Sequence, residues 1–253
     1  MIEMTKKAQY LIPEAVYGYD HPEVISLTDK FLTQANGQNV FSNIKATIAH
    51  NKTEETAQLI AAMWHEFTRF VPTFLSKAVV LTKDPEWQHY FIQIAYDELG
   101  GKNKDHVHSK LFLEALDSAF INIDADQSKQ QLRHVLNSLD LALTNTKSQY
   151  GIIGLLLSFE IIAEENIETL FEGLCYREEL RETLSDSKFF KIHRQDETEH
   201  IRHSIANYLR FCKTDAQKAE FQEAFDSGIA FWLRFWDQMA RVVLVEMETL
   251  RQA

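Results

Sequence analysis

Phe189-Phe190-Lys191-Ile192-His193-Arg194-Gln195-Asp196-Glu197-Thr198-Glu199-His200 is the stretch on which the reading turns. It sets His193, Glu197 and His200 at i, i+4 and i+7. At about 100° per residue these three project from one helical stripe, Glu197 and His200 each within roughly 40° of His193. Two imidazoles and a carboxylate on one stripe are a donor set for Fe, Mn or Zn with open positions. The same spacing recurs one step along, at Asp196, His200 and His203, on a stripe rotated by about 300°. Spacing alone does not choose between them. Lys191, Arg194, Glu199 and Arg202 also make a solvated charged face a competing reading.

Working outward, two further places carry chemistry. Asp97-Glu98-Leu99-Gly100-Gly101 ends a helical stretch on a carboxylate and a turn, and His108 follows in the first turn of the next helix, with His106 as a nearby decoy. A plain capped helix–turn–helix would look the same. Glu160 lies in Gly151–Ala163, among Leu155, Leu156, Leu157, Phe159, Ile161 and Ile162. A carboxylate there is costly to bury unless it is paired or metal-bound. Three carboxylates (Glu98, Glu160, Glu197) and three histidines (His108, His193, His200) would suffice for two metals, since carboxylates can bridge cations. Mixed N/O ligands favour iron or manganese over a closed zinc site.

The rest of the chain reads as all-α. Eight Gly and four Pro in 253 residues leave little punctuation, which favours long helices. Residues 1–20 read as an irregular lead-in carrying Tyr10, Leu11, Ile12, Tyr17 and Tyr19. Helices are then expected from His21-Pro22-Glu23 to about Gln34, over 39–49, and from Thr53 to Leu81, where Pro72 should kink the helix or reset its first turn. Asp84 caps the next one, with Pro85 at its first position and Gly100-Gly101 closing it. Asp105 is expected to cap another to about Phe120. Stretches near 127–147, 149–163, 165–182, 187–211 and 215–250 follow. That makes one all-α domain over 1–253, with about eight to ten helices.

A net charge of −11, from 37 acidic and 26 basic residues, argues against nucleic acid or an anionic membrane as partner. Two cysteines, Cys175 and Cys212, make no disulfide framework and fit a cytoplasmic protein. No signal-like or membrane-spanning run is present in the sequence. The apolar stretch Phe225–Val245, with Trp232 and Trp236, covers either the core or the face of a homodimer. Trp64, Phe67, Phe70, Tyr96 and Phe159 are candidates for lining a pocket.

Taken in order, these motifs resemble the haem-oxygenase-like di-iron oxidases and oxygenases, including the CADD-like proteins. The resemblance spans roughly residues 60–210. It rests on Phe67-Thr-Arg-Phe-Val-Pro-Thr-Phe-Leu75, Asp97-Glu98-Leu99-Gly100, His108-x-x-Leu111-Phe112, Glu160 and the closing His-x3-Asp/Glu-x2-His. It implies a haem-oxygenase-like helical bundle whose metal ligands are Glu98, His108, Glu160, His193, Glu197 and His200, and so selects the first stripe over the second. It also implies two Fe2+ ions, O2 as co-substrate and a small organic substrate. An amino acid or its derivative is the preferred one, undergoing N-oxygenation, oxidative C–C cleavage or rearrangement, with an electron donor as a further partner. The family most often carries Asp where this chain has Glu197.

Other readings fit less well. A ferritin-like di-iron protein needs two Glu-x-x-His pairs; Glu197–His200 supplies one, but Glu86–His89 sits at the end of a bundle. A thiaminase-type relative needs an activated cysteine, and a haem-degrading one a proximal histidine, for which His21 is a weak match. A metal-free helical binding module stays open.

Overall fold

A computed structural model describes residues 21–146, 148–195 and 197–252, and their side chains except at 125–130, 195, 197–200 and 203. The expected lead-in at 1–20, and Asp196, lie outside the described residues. So do the side chains of Glu197, His200 and His203.

The described residues form α-helices without strands. In chain order they are α1 (Pro22–Asn36), α2 (Ser42–His50), α3 (Glu54–Leu81), α4 (Pro85–Glu98), α5 (His108–Ser118), α6 (Ala125–Asn145), α7 (Gln149–Glu160), α8 (Ala163–Leu174), α9 (Leu180–Asp186), α10 (Lys188–Gln195), α11 (Glu197–Phe211) and α12 (Asp215–Gln252), with a 3₁₀ turn at Lys104–His106 before α5. Twelve helices among the described residues exceed the eight to ten expected. The long pattern at 165–182 divides into α8 and α9, and α10 and α11 are described on either side of residue 196.

Local chemistry accounts for most boundaries. The Asp84 carboxylate accepts from the backbone N–H of Glu86 (2.9 Å) and Trp87 (3.2 Å), and Pro85 takes the first helical position. Thr53 and Ser148 cap α3 and α7 in the same way. Of the two outcomes expected at Pro72, the reset does not occur: Pro72 lies inside α3, which runs on to Leu81. One expectation needs correction. Asp105 caps nothing: Asn103 accepts from the Asp105 N–H at 3.0 Å and starts the 3₁₀ turn, and α5 then begins after Val107 without a side-chain cap. Asn103 reaches the N–H two residues on, an Asx-type turn that competes with a helix start.

The interior is built around α7 and α12, which pack along each other. Their contacts run in parallel order: Gly151 meets Glu220 and Ala224, Gly154 meets Phe221, and Ser158 meets Gly228. A Cβ on Gly154 would overlap the Phe221 carbonyl, so only glycine permits this approach. Every residue of α7 from Gly151 to Ser158 is buried, which is why this helix is apolar all round. Trp232, Phe235 and Trp236 of α12 are buried against Trp64 and Phe67 of α3. The stretch Phe225–Val243 therefore fills the core; of the large apolar side chains up to Val245, only Leu244 and Val245 are exposed. The Trp236 indole N–H donates to Asn166 Oδ1 of α8 at 2.8 Å, satisfying a polar pair in a dry interior. Among the described residues no helix is long and apolar enough to cross a membrane.

Candidate metal centre

The corner between α4 and α5 brings the first acid and histidine together. Gly100 and Gly101 have φ of +89° and +59°, the left-handed conformation that ends helices. The Gly101 N–H donates to the Tyr96 carbonyl (2.8 Å), and the Gly100 N–H to that of Asp97 (2.9 Å). The following loop folds back onto Gly100, where a Cβ would lie 2.7 Å from the Val107 nitrogen. Glu98 is thus the last residue of α4 and His108 the first of α5, with His108 Nδ1 3.1 Å from Glu98 Oε2. Burial pulls the His108 pKa down, but the charge and hydrogen bond of Glu98, helped by the charge of Asp97, outweigh it and leave the pKa raised. Acid and imidazole hold a proton between lone pairs that could equally face a cation.

His193 joins this pair from α10. Its ring lies 4.8 Å from that of His108, edge to face, and 4.3 Å from Phe189. His193 Nδ1 is 2.7 Å from the Phe189 carbonyl oxygen. A carbonyl only accepts, so Nδ1 carries a proton in this contact. This is the arrangement by which metal-binding histidines are oriented. The fully buried rings of Phe189 and Phe190 root α10 in the core, the former 4.9 Å from Phe112 of α5. Sequence reasoning misses the role of Phe189; its signal is a position four residues before the histidine, whose carbonyl a helix turns toward the ring.

Glu160 ends α7 and is half-buried, followed by a turn at Ile161-Ile162. Its neighbour Phe159 packs on Phe67, Phe74, Phe231 and Trp232. α11, which contains Glu197 and His200, packs on α7. It also runs antiparallel to α4: Arg210 bonds Glu86 (2.9 Å), Phe211 packs on Trp87 (4.4 Å), and Ser204 meets the Tyr90 hydroxyl (3.0 Å). At equal rise along both helices, this register sets Glu98 level with about residue 198.

Glu98, His108 and His193 are brought into one chain of contacts, and Glu160 stands at the C-terminal end of α7. Among the described residues no group of three or more His, Cys, Asp or Glu is arranged to hold a metal; Glu197 and His200 lie outside that set of side chains. The donor chemistry nonetheless fits a divalent metal, with an oriented imidazole and an acid–imidazole pair beside it. The ferritin-like alternative loses its second pair. Glu86 is engaged by Arg210, and His89 is exposed, nine residues before Glu98; Glu86 itself lies about 18 Å along α4 from Glu98. Both cysteines are free and buried, and burial pushes each thiol up to about 12, which disfavours a nucleophilic role. Of the pocket candidates, Trp64 and Phe67 are buried, Phe70 and Phe159 are partly buried against the core, and Tyr96 is exposed.

The comparisons with known proteins agree with this architecture. A CADD-like protein of unknown function from Nostoc punctiforme superposes with a TM-score of 0.68 at 12% identity, over 88% of this chain and 97% of that one. A second crystal structure of a CADD-like protein from the same organism gives 0.70 at 15%, over 86% and 97%. A domain of unknown function with a heme oxygenase-like fold, from Shewanella denitrificans, gives 0.64 at 15%, over 90% and 91%. These likenesses establish the haem-oxygenase-like fold. No curated protein sequence matches this chain. The model of a family described as iron-containing redox enzymes matches residues 58–233. That span runs from the first turns of α3 into α12 and takes in all six candidate ligands. With most of its length inside that match, and with an acid–histidine corner and an oriented imidazole on this fold, the chain belongs to the family of iron-containing redox enzymes.

Proposed function

We propose that this chain is a non-haem di-iron oxygenase or oxidase that uses Fe(II) and O2 on a small organic substrate, with an amino acid or amino-acid derivative as the preferred class. The outcome would be N-oxygenation, oxidative C–C cleavage or rearrangement. The observation that carries the reading is the Glu98–His108 contact with the His193 ring against His108, and His193 Nδ1 turned to the Phe189 carbonyl. Glu98, His108 and His193 would hold one iron, and Glu160, Glu197 and His200 would complete the second. Bound iron would supply redox chemistry and O2 activation.

The protein's own contribution is orientation and dryness. Glu98 and His108 face each other through Nδ1 and would both turn donor atoms to a bound iron. Phe189 keeps Nε2 of His193 aimed away from its own helix. Phe67, Phe74, Phe159 and Trp232 wall off water beside Glu160. An external electron donor, a homodimer and a cytoplasmic setting belong to the same proposal; the free, buried thiols are compatible with the last.

Anaerobic titration with Fe(II) is the test. The expected result is about two Fe(II) per chain, loss of binding in His193→Ala and Glu160→Ala, and O2 consumption that accelerates with one member of an amino-acid panel. Absence of iron binding in the wild type, or unchanged binding in both variants, would sink the reading.

A further inference from the structure

His193 sits on α10, which Phe189 and Phe190 anchor in the core. For a ligand on such a helix a small roll matters. An imidazole nitrogen about 6 Å from the helix axis moves by roughly 2 Å in a 20° roll, more than a metal–ligand bond tolerates. The residue beside His193 supplies a second, polar constraint. Arg194 donates from Nε to Glu168 Oε1 (2.7 Å) and from Nη2 to Oε2 (3.2 Å), a two-pronged pair with α8. Its Nη1 donates to Ser185 Oγ of α9 at 3.0 Å. The guanidinium also lies 4.3 Å from the Phe171 ring of α8 and 5.6 Å from Phe190 of its own helix. Arg194 therefore grips α8 and α9, while its neighbour presents its ring to α5, about 100° around the helix. Two opposed attachments on adjacent residues fix the roll of α10.

We infer that Arg194, with Glu168, is a positioning residue for the metal centre: the fork holds α10 in the one roll that aims His193 at Glu98 and His108. This rests on the metal-centre reading above. The pair is partly exposed, with side chains 29% and 45% accessible, so it adds little to global stability, and its loss should leave the fold intact. Lysine cannot reproduce the fork.

The test is Mn(II) titration of the full-length chain, followed by EPR of the free ion, on wild type, Arg194→Gln, Arg194→Lys, Glu168→Gln and the double variant. Arg181→Gln is the matched control. Arg181 makes an equivalent pair with Glu172 (2.6 and 2.5 Å) and also lies over Phe171, yet its bonds join α8 and α9 without reaching α10. The expected result is a loss of about 10–100-fold in affinity for the first Mn(II) in Arg194→Gln and Glu168→Gln. Arg194→Lys should recover part of the loss, the double variant should be no worse than either single one, and Arg181→Gln should bind as wild type. Equal affinity in all variants, or an equal loss in Arg181→Gln, would overturn the positioning role while leaving the metal centre standing. A wild type that takes up no Mn(II) or Fe(II) removes the centre itself, and the role with it.

Discussion

α4 and α7 both end on a candidate metal-ligating carboxylate, Glu98 and Glu160, and they deliver it by different physics. α4 is half-solvated, with Ile92, Tyr96 and Leu99 exposed along one side. Its end is set by turn chemistry, through Asp84 at one terminus and Gly100-Gly101 at the other. α7 is buried from Gly151 to Ser158, and its depth is set by glycine contacts with α12. One acid is placed by local backbone conformation, the other by helix-on-helix packing. The first can be altered one residue at a time; the second moves only with the core.

The largest effect should come from the packed side. Gly154→Ala drives a methyl group into the Phe221 carbonyl, an overpacking of helix backbones that should cost about 3 kcal/mol. Urea unfolding should show it as a lowered midpoint at unchanged slope. Gly100→Ala should cost less, about 2 kcal/mol, because it forces a side chain to φ +89° and crowds Val107. Its signature should be local: the two Gly→Ala variants compared by hydrogen exchange should show a loosened α4–α5 corner only in Gly100→Ala. A Gly154→Ala protein as stable as wild type would break the contrast.

Asp84→Ala removes two accepted backbone hydrogen bonds at the far end of α4 and should cost about 1 kcal/mol, read as a lowered Tm. Its distance from Glu98 predicts unchanged metal binding. The smallest effect concerns the thiols. With Cys175 and Cys212 raised to about 12 by burial, about one part in ten thousand is thiolate at pH 8. A thiol-specific disulfide reagent should therefore react slowly with the native chain and rapidly after unfolding. Fast native labelling would show that these helices open more readily than their burial implies.

Legibility in the sequence follows the same division. Asp84-Pro85, Gly100-Gly101 and the long apolar periodicities mark helices by rules that act within a few residues, so α1, α3, α4, α7 and α12 are readable with small errors at their ends. Asp105 misleads because the neighbouring Asn103 offers the backbone a competing turn. The break between α8 and α9 is hidden because its glycine, Gly173, lies inside α8 and Cys175 takes the cap position. The candidate donors can be named from residue type and spacing, while the choice of the His193 stripe over the Asp196 one rests on the family resemblance. The Glu98–His108 hydrogen bond, the tautomer of His193 and the fork of Arg194 cannot, since each depends on a partner's position in space.

By itself, the sequence determined the helical class and the donors available, because periodicity, capping and side-chain chemistry are properties of short segments. Tertiary structure alone decided which donors meet. The antiparallel register of α4 and α11, the glycine seam of α7 and α12, and the anchoring of α10 on α8 and α9 each arise from contacts between separate helices. Those contacts exist only once the apolar faces have packed together and left water behind.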